Sequence, residues 1–277
     1  MIKFPITPLF VPANKPDWIE KGEDTNADAL ILDLEDSIPE NEKKEAREGL
    51  LEYFSNQKPK NPYLIRINPL DGSQGQEDLL FLKKAKNVSD NLLALVIPKL
   101  ENLEELSSIP KSFKVIPLIE TPLAVKNLDV LASSPGVLGL ALGGADLSTN
   151  LGSDMSWDGL LYSRSRLVLH ASINGLYSID SPFVELDLSE QLEEECKRSK
   201  SLGFTSKAAV HPDQVDIIKK SFLPSEEEIN EAKKILKSYS DSKGGAIAVD
   251  GKMVDGPIVQ SMKKKLLLVG LDPGKYK

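Results

Sequence analysis

The chain has 277 residues, 40% hydrophobic and 27% charged, and its 34 Lys plus Arg are outnumbered by 42 Asp plus Glu for a formal charge of −8. That apolar share supports a sizeable core, while the acidic balance argues against a broad nucleic-acid or anionic-membrane surface. No apolar run approaches the ~20 residues of a membrane helix, and the start, MIKFPITPLFVPAN, lacks a signal-type stretch, so a cytoplasmic protein is expected.

Taken in chain order, short aliphatic runs recur at Leu9 to Val11, Ala29 to Leu34, Tyr63 to Ile67, Ala94 to Ile97, Lys114 to Ile119, Val137 to Leu142, Tyr177 to Asp180 and Lys207 to Val210. Each reads as a strand. Helical periodicity fills the gaps, in EKKEAREGLLEYF, DLLFLKKAK, PLAVKNLDVLASS, YSRSRLVLHASIN, EQLEEECKRSKSL and PDQVDIIKKSF. Strand then helix, repeated, gives parallel strands, and eight units match the ~31 residues per unit of a ~250-residue barrel. An open doubly wound sheet would carry a G-x-G-x-x-G turn after an early strand, and none is present. A (β/α)8 barrel is therefore predicted over residues 1–223. Residues 224–277 read as an extension, a lid or subunit-contact arm: a helix after a Ser225 cap, the glycine-bearing SDSKGGAIAVDGKMVDGP, and the basic helix IVQSMKKKLLL.

Barrel enzymes place their chemistry at the C-terminal ends of the strands. Polar residues that end the apolar runs are Asp33, Glu35 and Asp36 on the second, Arg66 and Asn68 on the third, Lys99 on the fourth, Glu120 on the fifth, Asp146 on the sixth, Asp180 on the seventh and His211 on the eighth. Glu120 and Asp146 belong to adjacent strands, and two neighbouring carboxylates suit Mg2+ with water and substrate oxygens completing its shell. The competing reading makes both of them helix caps at strand–helix junctions. Arg66 and Lys99 add positive charge for an anionic substrate, unless they neutralise the DLED carboxylates. His170 reads as a packed or hydrogen-bonded core histidine in mid-helix, and His211 as a strand-end residue or a turn cap. The single cysteine, Cys196, reads as part of a solvated helix face.

LFVPAN, ALILDLEDSIP, LIRIN, VIPKLE, PLIETPLAV, LGGADLSTNLG, SRSRLVLHA, SIDSPF, LGFTSKAAVHPDQV and AVDGKMVDGP occur in the order found in the citrate lyase beta-subunit-like proteins of the HpcH/HpaI aldolase/citrate lyase family, which the chain resembles from Leu9 to about Leu268. The resemblance implies a TIM barrel of the phosphoenolpyruvate/pyruvate-binding type, assembled as a homo-oligomer, trimer or hexamer. It also implies a Mg2+-dependent carbon–carbon lyase whose substrates are 3-hydroxyacyl thioesters such as citryl-, malyl- or citramalyl-CoA, released as acetyl-CoA and a 2-ketoacid.

Motif by motif, the resemblance assigns the metal to Glu120 and Asp146 and the substrate to Arg66 and Lys99, with Gly144 and Ala145 beside it. Glu35 and Asp36 correspond to the acidic pair near metal-bound waters, and Asp255 to an acid that in some relatives serves a neighbouring subunit. Relatives commonly carry Arg-Ser before the first strand, where this chain has Ile6, Thr7 and Pro8; Ala145 stands where an acid is frequent. These departures leave open a class II aldolase acting on a free 2-ketoacid without a thioester, or a non-catalytic ketoacid-binding or scaffold homologue.

Overall fold

The computed structural model describes residues 4–57, 59–85, 91–242 and 245–276. Lys86, at the end of one expected helix, and Lys243 and Gly244, in the glycine-bearing segment, lie outside the described residues. The chain divides into two compact units, Met1–Ile218 and Lys219–Lys277.

In the first unit, strands β1 (Pro8–Pro12), β2 (Ala29–Asp33), β3 (Tyr63–Arg66), β4 (Leu92–Ile97), β5 (Val115–Ile119), β6 (Gly139–Leu142), β7 (Tyr177–Asp180) and β8 (Ser206–Lys207) lie side by side in sequence order. Every adjacent pair is parallel. Closure comes just past β8, where Phe10 N–H donates to Ala209 O at 2.8 Å and Ala209 N–H to Pro8 O at 2.9 Å. All eight expected strands are present and the barrel is nearly closed.

Around β1 to β4 lie α1 (Pro16–Glu23), α2 (Lys43–Asn56) and α3 (Ser73–Lys84). Next come α4 (Leu103–Ser108), α5 (Pro122–Lys126), α6 (Leu128–Ala132), α7 (Gly144–Leu151) and α8 (Trp157–Ile173), followed by α9 (Ser189–Leu202) and α10 (Pro212–Phe222). The stretch expected as one helix over 122–134 is broken at Asn127, whose side chain turns aside to donate to Glu101 O at 2.8 Å. The helix α9 buries Leu192, Cys196 and Ser199 on one stripe, which corrects the solvated reading of Cys196: its immediate neighbours in sequence are charged, but Leu192 four residues before and Ser199 three after put it on the buried stripe. Burial pushes its thiol up to about 12.

Alternation along each strand sorts side chains between the barrel interior and the helix layer. Ile31, Leu64, Val96, Leu118, Ala141, Ile179 and Ala208 form the inner core. Two residues on, the same parity places Asp33, Arg66 and Glu120 inward, one layer above Ile31, Leu64 and Leu118. Asp180 and Lys207, one residue beyond Ile179 and one before Ala208, take the opposite parity and face the helices.

In the second unit, α11 (Glu226–Asp241) opens with a capping box in which Ser225 and Glu228 satisfy each other's backbone N–H groups. The glycine-bearing segment forms an antiparallel hairpin, β9 (Ile247–Val249) and β10 (Lys252–Val254), turning at Asp250 and Gly251, both with positive φ. It packs with α11 and α12 (Gly256–Leu268) around Ile235, Val254 and Leu266. Among the described residues, no helix is long and apolar enough to cross a membrane.

Candidate active site

The inward acids meet their counterions according to strand register. Asp33 and Arg66 are direct cross-strand partners, and Arg66 grips Asp33 with two bonds, Nε to Oδ1 at 2.6 Å and Nη2 to Oδ2 at 2.7 Å. Burial opposes ionisation of Asp33, but the Arg66 hydrogen bonds outweigh it and hold the carboxyl below its ordinary value. Phe10 lies beneath the guanidinium, its ring centre 5.0 Å away. The flat side of the fork that sequence reading reserved for a substrate carboxylate is therefore taken by Asp33. The remaining nitrogen, Nη1, lies 3.1 Å from Glu35 Oε2 and 3.3 Å from Asp36 Oδ2.

Glu35 is buried, yet neither of its oxygens receives a hydrogen bond. Desolvation dominates its environment; Arg66 offsets part of this, while Asp36 and Asp33 add to it, and the acid is pushed up to about 7. Lys99 stands 3.9 Å from Glu35 with its side chain half exposed. Its main chain contributes more: held at φ 52, its N–H donates to Glu120 Oε1 at 2.9 Å.

Glu120 follows β5 directly and is 3% exposed. Burial, then the nearby charges of Glu35 and Asp146, push its carboxyl up to about 8. The closeness of β6 explains a glycine: a Cβ on Gly143 would sit 2.5 Å from Glu120 Oε2. Gly144 is constrained similarly, since a Cβ there would sit 2.6 Å from the Ser181 hydroxyl that accepts its N–H. With the strand ended by these glycines, Asp146 is not a strand-end residue as expected. It lies in the first turn of α7, where its charge also suits the helix dipole.

Arg66, Asp33, Asp36, Glu120, Gly144, Ala145 and Asp146 all line one cavity of ≈ 830 Å3, whose floor is the apolar inner layer. That volume is in the range of sites that enclose a drug-sized molecule. Glu35 sits behind this wall. His211, on the rim, accepts the Asp213 N–H at Nδ1 and so caps the turn into α10. His170 is half-buried beside Arg166, Nε2 3.4 Å from a guanidinium nitrogen, not packed in the core, because its helix position falls between the buried and exposed faces. Asp255 belongs to the second unit and caps α12, accepting the Ile258 N–H at 3.3 Å.

Five carboxylates (Asp33, Glu35, Asp36, Glu120 and Asp146) thus gather with two cations, Arg66 and Lys99, near them. Buried carboxylates without hydrogen-bond donors require protons or a cation. An all-oxygen donor set fits a hard divalent ion. Among the described residues, no group of three or more His, Cys, Asp or Glu is arranged to hold a metal ion; a cation on Glu120 and Asp146 alone would need water and substrate oxygens to complete its shell. Sequence reading missed Asn150, which donates to Glu120 O at 3.2 Å, and Ser181; Ser181 follows Asp180 directly in SIDSPF, which was the available signal.

Comparison with known proteins identifies the family of the fold. The chain is 29% identical to citrate lyase subunit beta of Leuconostoc mesenteroides subsp. cremoris, over 95% of this chain and 92% of that one. It is 25% identical to the mitochondrial citramalyl-CoA lyase of Homo sapiens, over 94% and 84%. Among solved structures, CitE from Mycobacterium tuberculosis in complex with magnesium, acetoacetate and coenzyme A superposes with a TM-score of 0.83 at 28% identity, over 95% of this chain and 97% of that one. The family model for HpcH/HpaI aldolase/citrate lyase matches residues 7–212, essentially the whole barrel, and the chain belongs to that family.

Proposed function

We propose that the chain is a magnesium-dependent carbon–carbon lyase that cleaves, or forms, a 3-hydroxyacyl-CoA thioester to give acetyl-CoA and a 2-ketoacid. The observation that carries this reading is Glu120: a buried carboxylate held near protonation, sharing a large cavity with Asp146 and flanked by a second buried acid without a hydrogen bond. Relatives named for citramalyl-CoA and citrate chemistry, and a neighbour solved with magnesium, acetoacetate and coenzyme A, support the substrate class.

Glu120 and Asp146 would hold the cation, which when bound lowers the pKa of a substrate hydroxyl and polarises the ketone that forms. Every other role falls to the chain. Asp33 locks the Arg66 guanidinium in place; its remaining nitrogen, Nη1, is paired with Glu35 and the exposed Asp36, so a substrate carboxylate or thioester oxygen would meet it at fixed orientation by displacing Asp36. Glu35, whose oxygens accept no hydrogen bond although Arg66 Nη1 pairs with one of them, is pushed up to about 7 and is suited to take the hydroxyl proton through a bound water, with Asp36 beside it on the cavity wall. Gly144 and Ala145 open α7 on the cavity wall, where first-turn N–H groups attract an anion. Lys99 fixes Glu120 through its main chain.

Asp255 is proposed to move the proton at the acetyl carbon in the site of a neighbouring copy, a role resting on the resemblance and on the second unit's reading as a subunit arm. Asp255→Asn keeps an oxygen that can cap α12 and removes the charge; loss of turnover with unchanged melting supports the role, and full turnover refutes it. A homo-oligomer, trimer or hexamer, is supported by the outward face of α8, where Tyr162, Leu169 and Ile173 are exposed at helical spacing. Light scattering reads the mass. The cytoplasmic location is proposed on the acidic, single-cysteine composition.

The decisive test of the activity is release of acetyl-CoA from a panel of 3-hydroxyacyl-CoA thioesters with and without Mg2+. Magnesium-dependent release from at least one member is expected. Release independent of Mg2+, or turnover only of free ketoacid adducts, overturns the proposal.

A further inference from the structure

Lys43 is the first residue of α2, where the helix dipole disfavours a cation. It is also buried, at 7% exposure, and a buried ammonium normally requires a carboxylate partner. Among the described residues, Lys43 has no ion pair. Its ammonium hydrogen-bonds Leu34 O at 3.1 Å, Glu35 O at 2.9 Å and Asn68 Oδ1 at 2.6 Å, so its three donors meet three neutral acceptors. Two of these are consecutive carbonyls of the loop that leaves β2.

The acceptors are held in turn. Asn68 donates through Nδ2 to Leu34 O at 2.9 Å and to Asp78 Oδ2 at 2.7 Å, and Asp78 pairs with Arg47 at 2.8 Å. On its other side the same loop is tied to Asp33, which accepts the Glu35 N–H at 3.0 Å and the Ser37 N–H at 3.1 Å. The Glu35 main chain is therefore clamped from both sides, while its carboxylate receives no hydrogen bond. The carboxylate meets Arg66 Nη1 at 3.1 Å and Lys99 at 3.9 Å as ion pairs without a hydrogen bond, so the directional bonds that place Glu35 are those of its backbone.

We propose that Lys43 is a positioning residue of this site: its ammonium clamps the Leu34 and Glu35 carbonyls and thereby sets where the Glu35 carboxylate stands relative to Arg66 and Glu120. This rests on the role given to Glu35 above. Partners that orient a metal site from behind its ligands are commonly worth 10–100-fold in metal affinity or activity.

The test compares four variants of the full chain: Lys43→Met, Lys43→Gln, Glu35→Gln and Leu50→Ala. Leu50 is a fully buried residue of the same helix with no part in the site, so its truncation lowers Tm through packing alone. Three quantities are read: amide exchange of the metal-free peptide spanning residues 33–38, the Mg2+ Kd by calorimetry, and kcat and KM separately. In Lys43→Met, exchange of that peptide accelerates, while Mg2+ affinity and kcat each fall about 10–100-fold with KM nearly unchanged. Lys43→Gln, which keeps an N–H donor, falls between it and wild type, and carries the test if the Met variant does not fold. In Leu50→Ala, Tm falls while all three readouts stay at wild type. Lys43 variants with wild-type exchange, affinity and kcat, alongside an impaired Glu35→Gln, overturn the positioning role alone. A Glu35→Gln variant indistinguishable from wild type overturns the role of Glu35 and the clamp with it.

Discussion

Glu120 and Asp180 both end barrel strands, both are almost wholly buried, and each is the last polar residue of an apolar run. Their surroundings are opposite. Asp180 faces the helix layer, where Arg164 Nε donates to it at 2.9 Å, Lys207 Nζ at 3.1 Å, and the Ser199 hydroxyl also donates. Burial opposes its charge, but Lys207 and then Arg164 outweigh that and hold the carboxyl below its ordinary value. Glu120 faces inward, receives one backbone N–H on its carboxylate, and stands among like charges. One residue of strand parity separates an acid whose charge is neutralised by structure from an acid whose charge awaits a ligand.

Substitutions should separate the two regions cleanly. The largest effect is expected for Glu120→Gln, a loss of about 10³-fold in turnover, the upper end for removing one electrostatic element of a transition-state site. Melting of the metal-free protein should hold or rise, because the variant replaces an acid that folding already disfavours as an anion. Asp180→Asn should do the reverse, costing about 3–5 kcal/mol in denaturant unfolding by leaving Lys207 and Arg164 buried and uncompensated. A variant of Asp180 that unfolds like wild type would sink the structural half of the contrast.

Gly143→Ala tests how closely Glu120 is fitted to β6. The new Cβ would displace the Glu120 carboxylate, and displacement by about 1 Å costs on the order of 10²-fold in turnover. Unchanged kinetics would show that Glu120 has room to move.

The smallest effect is a pH slope, and its sign differs between the regions. Glu120 and Glu35 are raised in the folded chain from 4.5 to about 8 and about 7, so the native state binds more protons than the unfolded one between these values. Their contribution is full below 4.5 and is lost as pH rises through about 7 and 8. Asp180 is lowered from 3.8, so its contribution is present above that value and disappears as pH falls through its folded value. Metal-free protein should therefore lose stability as pH rises from about 4.5 to about 8, and saturating Mg2+ should reduce that loss at its upper end. A flat metal-free profile there contradicts the desolvated, under-compensated state of the inner acids.

The barrel was legible because its strands are β-branched and aliphatic runs bounded by turn residues, a pattern that survives tertiary context. The site was legible in part. DLED, RIN and IET announce acids and an arginine at strand ends, but not which of them point inward, since parity depends on the residue at which each strand stops. Hence Asp180 looked like Glu120, and Asp146 looked like a strand end although Gly143 and Gly144 had already turned the chain into α7. Arg66 was read as a substrate grip with neutralisation of the DLED carboxylates as the alternative, and that it is Asp33 it pairs with follows from cross-strand register, which no single strand reveals. Lys43 and Arg47 did carry a signal: they share the spacing of Ala46, Leu50 and Phe54, the buried stripe of α2, and cations on such a stripe have buried work to do.

The central claim is that Glu120 and Asp146 jointly hold a divalent cation at the barrel mouth. Calorimetric titration of Mg2+ into wild type, Glu120→Gln and Asp146→Asn at pH 7.5 tests it most directly. One site per chain is expected in the wild type, with proton release on binding and no measurable site in either variant. Wild-type Mg2+ affinity in both variants would contradict the claim, as would a wild-type chain, verified as folded, that takes up no Mg2+ with or without ketoacid.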